Sequence, residues 1–208
     1  MELLVPIGEQ GRAGRAFLRS PKFRPGWGGR LVLGLWLVLV GLRGQVVFGE
    51  AFSREYPLKA VFLLNFAHYT TWPTNAFAGP DSPFVIAVSG DDPFGKLLDD
   101  AVLGEKVEGR KIVVQRYRRA ETPGPCQILF LGASETRRLD RILSEMRGRP
   151  VLTVRDADSV AHAAIGVQFL TENNRIRLRI NPQALRAAGL TMSSKLLRMA
   201  ELIPPPDP

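Results

Sequence analysis

The chain has 208 residues, 45% of them hydrophobic and 23% charged, and a formal net charge of +8. That balance is ordinary for a globular protein and excludes a wholly disordered chain, a collagen and a polytopic membrane protein. A single cysteine, Cys126, excludes a disulfide framework and a four-cysteine zinc site.

Most of the charge excess precedes residue 50, where Arg12, Arg15, Arg19, Lys22, Arg24, Arg30 and Arg43 stand against Glu2 and Glu9. Leu31–Leu42 reads LVLGLWLVLVGL and carries no charge. It is too short for a bilayer-spanning helix of about 20 apolar residues, and it fits the apolar core of a secretory signal. Small Gly49, with Val47 two residues before it, predicts cleavage before Glu50. No cysteine lies nearby to take a lipid, and no Arg-Arg pair directs the chain to the twin-arginine route. The chain therefore divides into a leader, 1–49, with a long basic n-region, and an exported domain, 50–208.

The body is only mildly basic, and its elements follow in order. Tyr56–Tyr69 is dense in apolar residues at helical spacing, with Pro57 in the first turn, and Trp72-Pro73 ends it. Phe84–Ser89 (FVIAVS) is a continuous apolar run, the pattern of a strand buried on both faces. Phe94–Val102 reads as a helix, Lys111–Tyr117 and Ile128–Leu131 as strands. Glu135–Arg147 is an amphipathic helix with Leu139, Ile142, Leu143 and Met146 on one face. Val151–Val154 is a further strand. Gly166–Leu170 and Arg175–Ile180 form a hairpin around Asn173-Asn174, because Asn tolerates positive φ. Pro182–Ala188 is a short helix stopped by Gly189, and Leu190–Leu202 is a last amphipathic helix. Strands alternating with helices predict one three-layer α/β domain: a mostly parallel sheet flanked by helices, then a C-terminal hairpin and a final helix.

Motifs of chemistry are few. Gly90-Asp91-Asp92-Pro93-Phe94-Gly95-Lys96 has the spacing of a phosphate loop. Leu97 stands where the metal-binding hydroxyl belongs, two carboxylates occupy the anion's place, and Pro93 removes a donor. A strand-to-helix turn capped by Asp91 or Asp92 fits better. Cys126 sits at the edge of an apolar strand and reads as a structural thiol. His68 and His162 have no metal-ligand spacing, and Asp156-Ala157-Asp158 reads as a turn. Arg175, Arg177 and Arg179 share one face of a strand, where they discourage unwanted pairing or dock an acidic partner. No catalytic set, cofactor site, metal site or nucleic-acid surface emerges.

Several segments together resemble the YfiR family. They are Leu58–Pro73 (LKAVFLLNFAHYTTWP), Val88–Gly95 (VSGDDPFG), Gly104–Ile112 (GEKVEGRKI), Cys126–Leu131 (CQILFL) and Ile180–Ala200 (INPQALRAAGLTMSSKLLRMA). The resemblance spans a core of 56–202. It implies a periplasmic regulator rather than an enzyme. Such a protein binds the periplasmic sensor domain of an inner-membrane diguanylate cyclase of YfiN type, holds it off and lowers cyclic-di-GMP. A YfiB-like outer-membrane lipoprotein can sequester the repressor. The sequence departs from the family at Ala164-Ile165, where a Gly-Gly pair is frequent, and its lone Cys126 permits no internal disulfide. Within the most family-like segment the partner surface is expected at Phe169, Ile180, Leu185 and Leu190, with Trp72 as a docking aromatic. A homodimer through apolar helix surface is compatible with the pattern. The alternative from another class is a small-ligand-binding module at the carboxyl edge of the strands, feeding a sensor or transport system.

Overall fold

A computed structural model describes residues 47–156, 162, 164–173 and 175–204, with side chains from Glu55 onward. Residues 1–46 of the expected leader, Ala157, Asp158 and Asn174 lie outside the described residues.

The first element, α1, spans Val47–Tyr69, so the backbone is helical on both sides of the junction before Glu50. Pro57 thus lies inside the helix rather than in its first turn. A two-residue strand β1, Thr70–Thr71, and a 3-10 turn, Thr74–Ala76, lead to β2, Phe84–Ser89. The helix α2 spans Lys96–Val102, followed by β3, Lys106–Val107, and β4, Arg110–Tyr117. β5 is Ile128–Leu131, a 3-10 segment covers Ala133–Arg138, and α3 is Leu139–Met146. β6 is Leu152–Asp156, β7 Val167–Glu172 and β8 Arg175–Ile180. The helix α4, Pro182–Ala187, precedes β9, Thr191–Met192, the single turn α5, Ser194–Leu197, and β10, Glu201–Leu202.

Eight strands form one sheet in the order β10-β8-β7-β6-β5-β2-β4-β3. The five central strands, β4, β2, β5, β6 and β7, run parallel. β8 turns back antiparallel to β7, with Glu172 opposite Arg175, which leaves a two-residue loop in which Asn173 takes φ 51°. β2 and β5 are buried at every position, as their unbroken apolar runs require.

Two cores flank the sheet. On one face α1 and α2 pack over Phe66, Phe84, Phe94, Phe130 and Phe169. Each such ring removed from water contributes about 2–3 kcal/mol. On the other face Leu139, Ile142, Leu143 and Met146 of α3 meet Val85, Ala87, Leu129 and Leu131. The three-layer α/β domain expected from the sequence is what forms.

The ends of the elements differ more. The helix expected over Glu135–Arg147 opens as 3-10 turns, with Glu135 drawn into full burial, and is α-helical only from Leu139. The long helix expected over Leu190–Leu202 is broken by pairing. Thr191 and Met192 lie antiparallel to Thr71 and Thr70, and the Ser193 N–H donates to the Tyr69 carbonyl at 2.8 Å. One helical turn survives before β10 joins β8. α4 keeps to its sequence signals. The Asn181 side chain accepts from Gln183 N and Ala184 N, Pro182 opens the first turn, and Gly189 closes it at φ 67°.

Candidate functional site

In open parallel sheets ligands bind at the carboxyl ends of the strands, where the order reverses. Here the reversal falls between β2 and β5, because β2 is followed by β4 on one side and β5 on the other. That crevice is closed by backbone. The Gly132 N–H donates to the Ser89 carbonyl at 2.9 Å, and the Asp91 N–H donates to Ser134 Oγ at 2.8 Å. A Cβ on Gly132 would stand 2.4 Å from the Asp91 carbonyl oxygen. The Gly90–Lys96 loop is likewise held by its own carboxylates. Asp92 accepts from the Phe94 N–H at 2.8 Å, and Arg116 joins Asp92 to Asp99 at 2.6 Å each. Asp92 thus caps the turn before α2 rather than the helix itself. The hydrogen bond from Arg116 holds the Asp99 carboxyl below its ordinary value, and Asp99 in return raises the guanidinium.

A second polar cluster lies where β6 ends. Lys59 of α1 is only 2% exposed and sits between two carboxylates, Glu55 and Asp156, the latter at 2.6 Å. Its ammonium also stands 4.9 Å from the Tyr56 ring and 5.6 Å from the Phe169 ring. The Tyr56 hydroxyl reaches Asp156, and the Thr171 hydroxyl donates to Glu55 at 2.7 Å. Burial pushes the Asp156 carboxyl up against the bond from Lys59. Burial also works against the Glu55 charge, yet the bonds from Lys59 and Thr171 hold that carboxyl below its ordinary value. The cluster anchors α1 to β6 and β7. Sequence reasoning missed it, although Glu55 and Lys59 lie one helical turn apart and Lys59 interrupts an apolar face.

A groove of about 510 Å³ lies between α3 and α4, lined by Met146, Arg149, Thr153, His162, Gln183 and Ala187. It adjoins the beginning of β6, not the carboxyl edge. His162 Nε2 lies 3.2 Å from Asp140 there. Among the described residues no group of three His, Cys, Asp or Glu side chains could hold a metal ion. Cys126 is a buried free thiol, pushed up to about 12 by burial against the nearby charge of Arg149. No helix of the described residues is long and apolar enough to cross a membrane.

All five residues expected at the partner surface are buried, between 0% and 5% exposed: Trp72, Phe169, Ile180, Leu185 and Leu190. They belong to the same core, on the face covered by α1. The Trp72 N–H donates to the Ala67 carbonyl, and its ring stands edge-on to Phe84 at 5.1 Å. Phe169 stacks with Phe66 at 5.8 Å. Leu185 and Leu190 close α4, where the Leu190 N–H donates to the Leu185 carbonyl. These residues shape the hairpin region from beneath. Arg175 and Arg177 of the arginine row reach solvent there, while Arg179 is mostly covered and pairs with Glu201; their partners on β7 are Glu172, Leu170 and Gln168.

Residues 56–201 match the YfiR/HmsC-like family. No curated protein matches the chain. The matched segment runs from Tyr56 in α1 to the first residue of β10 and takes in both faces of the sheet, so the chain belongs to the YfiR/HmsC-like family.

Proposed function

We propose that the chain is an exported periplasmic regulator that binds the periplasmic part of an inner-membrane diguanylate cyclase and represses it. The observation that carries this reading is the family match across 56–201. The backbone-closed crevice between β2 and β5 supports a regulator over a catalyst. Export rests on the basic leader, the uncharged Leu31–Leu42 run and the junction before Glu50, with 50–208 as the mature domain. The partner is taken to be of YfiN type, with a YfiB-like lipoprotein as the opposing sequestrant. Repression then follows as a population shift: the regulator binds the inactive cyclase more tightly than the active one.

The test is cyclic-di-GMP in cells lacking the chain. The expected result is a rise of about tenfold, the effect of about 1.4 kcal/mol of differential binding. Full-length protein is expected to reverse it, and residues 50–208 without the leader are not. An unchanged level across growth conditions would remove cyclase repression as the main role. The small-ligand reading expected a site at the carboxyl edge of the strands; the groove between α3 and α4 lies at the opposite edge and would be a different site.

A further inference from the structure

β8 is an incomplete edge. β7 covers one side along its whole length, but β10 covers the other only at Arg179 and Ile180. The Ile180 carbonyl accepts from the Ile203 N–H. Since backbone groups alternate along a strand, Ile176 and Leu178 turn their groups toward the same outer side. Among the described residues, Ile176 and Leu178 therefore have no strand beside their outward peptide groups.

The surface next to this edge is apolar on one face and cationic on the other. α1 lies over β7, with Phe62 and Phe66 on Phe169. Tyr56 points toward Phe94, beside α2. Helical geometry places Leu58 and Tyr69 on the opposite flank, toward β8. The Tyr69 ring lies under Lys195 of α5, the turn that leads into β10. Leu58, Tyr69, Met199 and Leu202 are 47%, 39%, 64% and 46% exposed. On the other face Arg175 has no ion-pair partner among the described residues, and Arg177 has only an exposed pairing with Glu172. Such a pair is worth little and exchanges readily.

We propose that this edge of β8 receives an extended segment of a partner protein in which apolar and acidic residues alternate. Its backbone adds a strand against Ile176 and Leu178. Its apolar side chains lie toward Leu58 and Leu202, and its carboxylates meet Arg175 and Arg177. The charge decides against a second copy of the chain. Antiparallel pairing of β8 with itself sets arginine against arginine, which is destabilising. The proposal deepens the regulatory reading above, on which it rests for a protein partner.

The probe is a fluorescent peptide of about eight residues alternating valine and glutamate, with two controls: a valine–lysine alternation, and valine and glutamate in separate blocks. Anisotropy with the full chain is expected to show the alternating acidic peptide bound about tenfold more tightly than either control. Arg175→Glu with Arg177→Glu is expected to reverse the preference toward the lysine peptide, with the cooperative unfolding transition kept and its midpoint lowered by only a few degrees, since both face Glu172. Equal binding of block and alternating peptides, no binding at all, or indifference to the charge reversal would overturn it. So would self-association of the full chain that the reversal abolishes, since the edge would then belong to a second copy. In cells, a rise in cyclic-di-GMP on deletion that the double variant fully reverses sinks the edge and keeps the regulator. Edge binding without any cyclic-di-GMP effect keeps the edge and sinks the cyclase.

Discussion

Lys59 is a charged side chain with almost no access to water, at 2% exposed. It is a buried ammonium held by Glu55 and Asp156, so removing it strands two carboxylates beside apolar rings. Lys59→Met is expected to cost about 3 kcal/mol at neutral pH, read from urea unfolding at constant slope. The sign of its pH dependence follows from the two acids. In the native chain Asp156 is raised and Glu55 lowered, so their contributions oppose. Raised Asp156 gives stability that is present at low pH and lost as pH climbs through its folded value. Lowered Glu55 gives stability that is lost as pH falls through its own. Without Lys59 each carboxyl loses the bond that favours its charge, so each rises from its native value. The deficit of the variant should then shrink as pH falls toward about 4 and the acids take up protons. A deficit that stays constant with pH would mean that Lys59 acts by packing alone. The lysine escaped sequence reasoning because its partner Asp156 is 97 residues away, a distance no local pattern spans.

At the scale of elements, legibility followed length. β2 and β5 read directly because both faces are buried, and α3 because Leu139, Ile142, Leu143 and Met146 repeat at helical spacing. β1, β9 and β10 have two residues each and leave no period to detect. Two of these pair with each other, and that pairing breaks the helix expected over Leu190–Leu202. The expected partner residues were hard to read for a different reason. An apolar residue in a family-like segment reads the same whether it is core or contact, and Phe169, Ile180, Leu185 and Leu190 are core. The arginine row was legible as a face, but the open backbone beside it required the sheet order. The closed crevice after β5 is also testable. Gly132→Ala presses a methyl against the Asp91 carbonyl and is expected to cost about 2 kcal/mol in urea unfolding. A neutral result would mean that the loop after β2 yields freely, and the crevice could then open.

Across the whole molecule, distant segments hold one another. Glu55 meets Thr171 116 residues away, the Phe62 ring lies 5.9 Å from that of Phe169, and Thr70 pairs with Met192. A chain ended after Leu190 lacks β9, α5 and β10 and is expected to lose its cooperative unfolding transition by circular dichroism. A sharp transition in that truncated chain would show that α1 docks without the ladder. The ladder of Thr70–Thr71 with Thr191–Met192 also has a bearing on timing. A protein made from its amino end can close this ladder only when about its last tenth has been synthesised, so the contact is a late and non-local one. On the export proposed above, the clasp that fixes the first segment is among the last parts to emerge, so this pairing cannot close the fold before the earlier segments have been threaded across the membrane.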